Sequence, residues 1–434
     1  MARLAGGRSH IGFQNSWYYD SAAHRTPSPR LEDSITVDVC VIGGGYTGLS
    51  AAIELARAGA NVALLERHEV GSGASGRNGG VLGMGQRLDQ DDLEEMVGID
   101  WARHLWQLSI DANDLVRSRV NEFSIDCDLK DGELTVAHKA RHERSLWEYA
   151  EHLQRVYNYD DIEVVRRDDV HEQLGSSSYF GGTLDHRAGH LHPLNLARGL
   201  ARAAESLGVQ VFEHSEVSAI EKVANEHIVR TVLGEVRCGD VVVACNGYLN
   251  GLLPSADRFQ MPINNFMVAT VPLEAAVAER INRDDVAVVD TRFVVNYFHL
   301  SRDHRLIFGG GENYTPFFPQ SIERVVRPRL EAVYPELQGV DIEYEWGGTL
   351  SVTMNRMPKF GRADDGIYYA EGYSGHGVAM ANLGGALIAE AILGRPERFD
   401  QMAQLKQRAF PGGRWLRWPG LIAGMLFYSM LDRI

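Results

Sequence analysis

The sequence contains little cysteine, and the cysteines that it has do not form a metal-binding pattern. The four are Cys40, Cys127, Cys238 and Cys245. No two of them make the C-x-x-C pair on which zinc sites and redox-active disulfides are built. We therefore expect no metal site, and interpret the cysteines as small core residues in a reducing compartment.

Long apolar runs are also missing. A membrane-spanning helix needs a run of about 18 or more apolar residues, and the sequence has none. Residues 1–20 lack the apolar core and small-residue cleavage site of a secretory signal. These features predict a cytoplasmic location.

A basic face is the third feature that is lacking. The chain carries 43 basic and 58 acidic residues, for a net charge of -15. Nucleic-acid binding needs a clustered positive surface, so we expect no nucleic-acid partner. An acidic protein weakly attracts cationic substrates.

The most apolar stretch lies near the C-terminus, in residues 415–434. It contains Trp415, Arg417, Trp418 and Tyr428, and Arg414 directly precedes it. Residues 411–434 are therefore predicted to form a helical tail with two open interpretations. The tail packs on the protein's own core, or it makes a peripheral membrane contact through its aromatic and basic residues.

A dinucleotide fingerprint follows the first buried strand. Residues 36–42 read TVDVCVI, and Gly43, Gly45 and Gly48 then form G-x-G-x-x-G at the start of a helical pattern. The glycines permit a tight turn, backbone approach to a diphosphate and close helix–strand packing. A second strand ends at Glu66, where a carboxylate can bind a ribose diol. This βαβ unit predicts dinucleotide binding.

A second glycine-rich loop favours FAD over NAD. Residues 70–80 read VGSGASGRNGG, directly after the second strand, where a nicotinamide enzyme usually continues into a helix. We interpret the loop as packing against an extended cofactor, with Ser75, Arg77 and Asn78 as donors. A plain surface loop is the alternative.

The rest of the chain alternates between helical and strand patterns and predicts an α/β fold. We expect a discontinuous Rossmann-type FAD-binding domain in residues 31–90, 160–250 and 345–410. An inserted, antiparallel-sheet substrate domain takes residues 91–159 and 251–344. Residues 91–122 carry helical periodicity throughout.

These motifs resemble the D-amino-acid oxidase, glycine oxidase and monomeric sarcosine oxidase family of flavoproteins. The similar segments are GGGYTGLSAAIELARAG, GASGRNGG, DHRAGHLHPLNLA, HRLIFGGG, NRMPKFGR, GYSGHGV and FPGGRWLR. Within this family they are most similar to the γ-glutamylputrescine oxidoreductase branch. The resemblance implies an enzyme that transfers a hydride from a carbon bonded to an amine nitrogen to flavin N5. The resulting imine would hydrolyse to an aldehyde.

The resemblance also implies which residues bind FAD. Those expected at the diphosphate and adenosine are Gly43, Gly45, Thr47, Gly48, Glu66, Arg67 and Val217. Those expected along the isoalloxazine ring and where the chain crosses the cofactor are Ala74, Ser75, Arg77, Asn78, Gly79, Gly80, Asn246, Gly247, Gly375, His376, Gly377 and Val378.

Three departures from the family pattern refine this expectation. No cysteine lies in SVTMNRMP, where some relatives attach FAD, so FAD should be non-covalent. Ile307 stands about where sarcosine oxidases have an oxygen-assisting lysine, so a dehydrogenase that passes its electrons to a quinone-type carrier stays open beside an oxidase that uses O2. Gly375 stands where glycine oxidases bind a carboxylate with arginine. That last difference favours an amine over a simple α-amino acid.

Substrate-facing residues are harder to predict, because hydride transfer needs little acid–base machinery. Tyr297 and His299 share one face of a strand, and His190 and His192 stand at a helix entrance. With His376 beside the flavin, His376, Tyr297, His299 and His190 are the candidate catalytic residues. Arg356 is a candidate for binding a carboxylate.

Two other functions remain open. The chain could oxidise a secondary or N-methyl amino acid such as sarcosine or pipecolate. It could also be a flavin-binding electron-transfer or scaffold subunit whose chemistry resides in a partner.

Overall fold

The computed structural model describes residues 13–313, 317–363 and 366–411. The predicted tail over residues 411–434 therefore lies outside the described residues, apart from Pro411. No helix in the described ranges is long and apolar enough to cross a membrane.

Helices and strands alternate along most of the chain. The helices are α1 Trp17–Ser21, α2 Tyr46–Arg57, α3 Gln90–Val97, α4 Ile99–Glu122, α5 Ala140–Tyr157, α6 Arg167–Leu174, α7 Pro193–Ser206, α8 Pro254–Asp257, α9 Ala275–Ile281, α10 Glu323–Val333, α11 Gly377–Ile392 and α12 Glu397–Ala403. The strands are β1 Ser34–Thr36, β2 Val39–Ile42, β3 Val62–Leu65, β4 Val81–Leu82, β5 Lys130–Val136, β6 Ile162–Val165, β7 Gly182–His190, β8 Gln210–Phe212, β9 Ala219–Val223, β10 Glu226–Arg230, β11 Glu235–Cys238, β12 Asp240–Val243, β13 Met261–Thr270, β14 Ala287–Asp290, β15 Tyr297–Leu300, β16 Leu306–Asn313, β17 Ile342–Val352, β18 Lys359–Arg362 and β19 Ile367–Glu371.

A six-stranded sheet forms the centre of the predicted dinucleotide-binding part. Its order is β18-β19-β12-β2-β3-β8, and it is parallel except between β18 and β19. The whole of β2 and of β3 is buried, as expected for parallel strands covered on both faces. Helices α2, α4, α7 and α11 pack on one face. On the other face lies a four-stranded sheet of order β1-β11-β10-β9.

The second large sheet has nine strands. Eight follow the order β17-β13-β16-β15-β14-β5-β7-β4, and β6 pairs with β7. Helices α6, α9 and α10 contribute to the core that covers it. The sequence predicts an antiparallel sheet here, but the structure is mixed, because β5 and β14 run parallel.

The sheets divide the chain differently from the sequence-based domains. Strands β6, β7 and β17 belong to the nine-stranded sheet. The sequence division placed β6, β7 and most of β17 in the FAD-binding part. Helix α4 contributes to the core of the six-stranded sheet, and its Trp106 packs in a separate cluster with α5. The domain boundaries themselves remain a prediction.

The helical region 91–122 is also two helices rather than one. Helix α3 ends and α4 begins at Gly98, whose φ of +84° interrupts the helical backbone. A left-handed conformation of this kind is readily adopted by glycine. The glycine therefore breaks a run whose polar and apolar spacing is otherwise helical.

Candidate functional site

The turn after β2 has no room for side chains. Gly43 has a φ of +112°, and a Cβ there would lie 2.6 Å from the carbonyl oxygen of Ala244. A Cβ on Gly48 would overlap the carbonyl oxygen of Gly43. These contacts hold the start of α2 tightly against β2 and β12, which is the geometry that the fingerprint predicts.

The N-terminus of α2 faces the second glycine-rich loop. Gly45 is the N-cap of α2, and a Cβ on it would lie 2.9 Å from Ser75 Oγ. The Tyr46 N–H donates to Ser75 Oγ at 3.0 Å. A helix N-terminus with a glycine cap offers backbone N–H groups and a positive dipole end to an anion. This arrangement fits a diphosphate.

Glu66 completes the first half of the site. Its Oε2 accepts from the Gly44 N–H at 2.7 Å, and its Oε1 accepts from the His68 N–H at 2.9 Å. Burial raises the pKa of Glu66, while these two backbone hydrogen bonds oppose that shift. Each carboxylate oxygen can accept a further hydrogen bond, so the side chain can still bind a ribose hydroxyl.

These elements surround a cavity of about 300 Å³. Predicted cofactor residues that line it are Gly43, Gly45, Glu66, Arg67, Ala74, Ser75, Arg77, Val217 and Asn246. Lining residues that the sequence reasoning missed include Ser215, Glu216, Cys245 and Tyr248. Backbone donors at one end and a carboxylate at the other make this cavity a good fit for the adenosine diphosphate half of FAD.

Arg77 and Asn78 brace the glycine-rich loop. The buried Arg77 donates from Nε to the Ser72 carbonyl at 2.7 Å and from Nη1 to the Gly347 carbonyl at 3.0 Å. Asn78 Nδ2 donates to the carbonyls of Ala74 and Ser75. The donors that the sequence analysis directed at a cofactor thus fix the shape of the loop.

Thr47 and Gly247 lie outside the lining of the cavity, and Asn246, which lines it, also holds a neighbouring segment. The Thr47 and Tyr373 hydroxyls are 2.8 Å apart in a hydrogen bond. Asn246 Oδ1 accepts from the Gly372 N–H at 3.0 Å. A Cβ on Gly247 would lie 3.2 Å from the Leu350 carbonyl oxygen. These contacts join β12 to the segment that precedes α11.

Gly79 and Gly80 place the loop against the nine-stranded sheet. A Cβ on Gly79 would overlap the ring of Tyr297, and one on Gly80 would lie 3.5 Å from His299 Nε2. The rings of His190 and His299 are 4.4 Å apart. Three predicted substrate-facing residues therefore lie close together behind the loop.

Both histidines of this pair hydrogen-bond to backbone carbonyls. Burial lowers the pKa of His299 to about 3, with a further contribution from His190. His299 Nδ1 donates to the Leu300 carbonyl at 2.9 Å, and His190 Nε2 donates to the Asp285 carbonyl at 2.8 Å. Burial raises the pKa of Tyr297. His299 therefore carries no charge at neutral pH.

His376 is the N-cap of α11, opposite the loop. Its Nε2 donates to the Gly85 carbonyl at 2.9 Å. Burial and the charge of Arg87 lower its pKa to about 4, so the ring is neutral at neutral pH. Gly377 is the first residue of α11 and the buried Val378 is the second, after Gly375 with a φ of +93°. The positive end of α11 can thus meet a negative charge next to His376.

His192 has a structural role that the sequence did not predict. It is the N-cap of α7, where its Nδ1 accepts from the Asn195 N–H at 3.1 Å. Burial lowers its pKa to about 3. Its remaining ring nitrogen lies 3.1 Å from Ser21 Oγ, which ties the N-terminal segment to α7. His192 is therefore engaged on both sides.

Arg87 contacts Ser374, and the charge of Arg356 lies near Arg87. Arg87 Nε donates to the Ser374 carbonyl at 3.0 Å, and the Thr353 N–H at the start of the Arg356 turn lies 3.3 Å from Ser374 Oγ. Burial lowers the pKa of Arg87, and the charge of Arg356 lowers it further. Arg87 was not found from the sequence, where it follows an ordinary glycine turn.

The comparisons with known proteins agree with this architecture. Residues 38–391 match the family model described as FAD dependent oxidoreductase, DAO. The chain is 41% identical over 421 residues to gamma-glutamylputrescine oxidoreductase of Escherichia coli strain K12, covering 97% of this chain and 98% of that protein.

Two solved structures share the fold. Glycine oxidase from Geobacillus kaustophilus superposes with a TM-score of 0.70 at 21% identity, covering 83% of this chain and 95% of that one. L-proline dehydrogenase from P. horikoshii superposes with a TM-score of 0.68 at 22% identity, covering 85% of this chain and 94% of that one. With the fingerprint, the cavity and the extent of the family match taken together, the chain belongs to the DAO family of FAD-dependent oxidoreductases.

Proposed function

We propose that the protein oxidises the C–N bond of an amine that carries a carboxylate at its other end, as γ-glutamylputrescine does. The observation that carries this proposal is the 41% identity to the E. coli enzyme across nearly the full length of both chains. FAD, when bound, supplies the acceptor for the hydride that leaves the carbon next to nitrogen. The imine product hydrolyses to an aldehyde, and O2 or a quinone-type carrier takes the electrons onward.

The protein contributes binding and orientation to this reaction. The cavity residues around Gly45 and Glu66 would hold the adenosine diphosphate half, and Gly79, Gly80 and α11 would border the flavin ring. Tyr297 and His299, which lie against Gly79 and Gly80, would form the wall behind it. Tyr297 and the uncharged His299 place no positive charge beside the amine.

Arg87 and Arg356 favour a substrate with a carboxylate. Neither guanidinium has an ion-pair partner within 4.0 Å in the described ranges, although the chain has an excess of acidic residues. Arg87 contacts Ser374, two residues before His376, and Arg356 is close enough for its charge to lower the pKa of Arg87. A carboxylate between them would relieve their mutual repulsion. This position is compatible with the glutamyl end of the substrate.

Anaerobic reduction by three substrates tests the proposal. γ-Glutamylputrescine should bleach the flavin fastest, putrescine should bind more weakly, and sarcosine or pipecolate should be poor. Arg356→Gln should weaken γ-glutamylputrescine binding about tenfold, the loss of one charged hydrogen bond, and leave putrescine unaffected. Preference for sarcosine or pipecolate would contradict the proposal and support an N-methyl or secondary amino-acid oxidase.

A further inference from the structure

Glu133, on β5, is a carboxylate with an unsatisfied buried oxygen. Its Oε2 is buried and has no hydrogen-bond partner in the described part of the chain. Its Oε1 receives one long hydrogen bond, 3.4 Å from Thr135 Oγ1. No cation pairs with it among the described residues, and the neighbouring charge is Asp185, which is also acidic. Buried carboxylates are normally paired, because the charged form is costly in a medium of low polarity.

The unpaired oxygen faces the candidate active site. A Cβ built on Gly83 would lie 3.0 Å from Glu133 Oε2 and 3.0 Å from His376 Cε1. The carboxylate and the imidazole therefore lie on either side of Gly83, which carries no side chain. The hydrogen bond from His376 Nε2 to the Gly85 carbonyl fixes the ring, and burial lowers its pKa to about 4, so the ring is uncharged at neutral pH. The imidazole supplies no counter-charge to Glu133.

The nearest cation on the same strand is already engaged. Lys130 forms an ion pair with Asp285 and lies 3.9 Å from Asp128. A hard metal cation is a poor candidate, because such ions need several oxygen ligands and Glu133 offers one free carboxylate oxygen. A single, strongly hydrogen-bonding ammonium group matches one free carboxylate oxygen.

We propose that Glu133 Oε2 binds the cationic nitrogen of the amine substrate at the flavin end of the site. This inference rests on the proposed function, and it assigns the two ends of the substrate to two places in the fold. The ammonium end meets Glu133 beside His376, and the carboxylate end meets Arg87 and Arg356 beside Ser374. The acidic and basic groups would thus fix the direction in which the substrate enters.

The test compares two ligands that differ at one end. One is γ-glutamylputrescine, and the other is its analogue with a hydroxyl in place of the terminal amine. Dissociation constants are measured anaerobically, from the flavin spectrum for the alcohol and from the concentration dependence of reduction for the amine. Glu133→Gln should weaken amine binding about tenfold or more and leave alcohol binding within about twofold. Glu163→Gln, on strand β6 at the far edge of β7, is the matched control at an exposed carboxylate and should change neither.

Each outcome is informative. Equal amine affinity in Glu133→Gln and the wild type would overturn the inference while leaving the proposed function intact. A wild-type flavin that no amine bleaches would overturn the proposed function instead. If Glu133→Gln does not retain FAD, Glu133→Asp is tested in its place. This variant keeps the charge, but its side chain is one methylene shorter. That variant should reduce the preference for amine over alcohol, and an unchanged preference would contradict the inference.

Discussion

At the scale of single residues, Gly45 is the position where a side chain most directly opposes cofactor binding. A Cβ there would already lie 2.9 Å from Ser75 Oγ, the atom that receives the Tyr46 N–H. Gly45→Val should therefore displace the loop from the N-terminus of α2 and abolish FAD binding. The flavin absorbance of the purified protein measures this directly.

Substitution of a glycine away from the cavity provides the control. A Cβ on Gly239 would lie 3.5 Å from the Asp38 carbonyl oxygen, which is an ordinary contact. Gly239→Ala should retain stoichiometric FAD. Full flavin content in Gly45→Val would show that the fingerprint does not contact the cofactor.

Glu133 also predicts how stability changes with pH. Burial and the charge of Asp185 raise its pKa from 4.5 to about 7. A carboxyl whose folded pKa is raised stabilises the protein below its unfolded pKa, and this contribution is lost as pH rises through the folded pKa. Glu133→Gln lacks this carboxyl, so its stability relative to the wild type should increase as the pH rises from 5 to 8. This range lies around the folded and unfolded pKa values.

The histidines act in the opposite direction. His299 and His376 have pKa values lowered to about 3 and about 4, so their contribution is present above pH 6.5 and is lost as pH falls. The wild type and Glu133→Gln share this contribution of the histidines, so it cancels in the difference between their melting temperatures. The melting temperatures are measured by differential scanning calorimetry without substrate. A difference that stays constant with pH would contradict the assignment to Glu133.

At the scale of elements, two helices that begin at the site are packed against each other. A Cβ on Gly385 of α11 would overlap the Thr47 carbonyl oxygen and lie 2.6 Å from Ser50 Cβ, both in α2. Gly385→Ala should therefore lower the free energy of unfolding by about 1–3 kcal/mol, the usual cost of overpacking. It should also weaken FAD binding, because the N-terminus of α2 borders the cavity and that of α11 is predicted to border the flavin.

Urea unfolding and FAD titration of Gly385→Ala measure the two effects. Gly239→Ala again serves as the control and should behave like the wild type in both. Reduced stability with unchanged FAD affinity would show that the spacing of α2 and α11 does not shape the cofactor site.

The elements also show which features a single sequence reveals. The unit β2–α2–β3 was predictable because its strands are wholly apolar and its turn is a specific glycine pattern. The break at Gly98 was missed, because a glycine in a long helical pattern is compatible with one helix or two. Glu133 was missed for a different reason. It alternates with Gly132 and Leu134 on β5, so it reads as solvent-facing, whereas Gly83 and His376 cover that face.

At the scale of the whole molecule, the site is assembled from distant parts of the sequence. The cavity brings together the first glycine turn, the loop from Ser72 to Arg77, Val217 and the end of β12. The family resemblance supplied this grouping, since periodicity and spacing predict elements but not which distant side chains meet. The pairing of Arg87 with Arg356 depends on such contacts, and Arg87 was therefore not predicted.

The positions of the cysteines predict how FAD is attached. Cys40, Cys127 and Cys238 are buried, and burial raises the pKa of Cys245, the one that lines the cavity, to about 12. Thiols in this state are poor nucleophiles, and the SVTMNRMP segment contains no cysteine. We expect acid precipitation to release all flavin into the supernatant, from the wild type and from Cys245→Ala alike. Yellow colour that stays with the wild-type pellet would indicate a covalent link.

The proposed function requires this DAO-family protein to remove two electrons from an amine. The most direct measurement is an anaerobic titration of the FAD-loaded protein with γ-glutamylputrescine, followed by absorbance and by assay of the aldehyde. We expect complete bleaching of the oxidised flavin, with one aldehyde molecule formed per flavin reduced. A flavin that stays oxidised with this amine, and with putrescine, would contradict it and would favour an electron-transfer subunit whose chemistry resides in a partner.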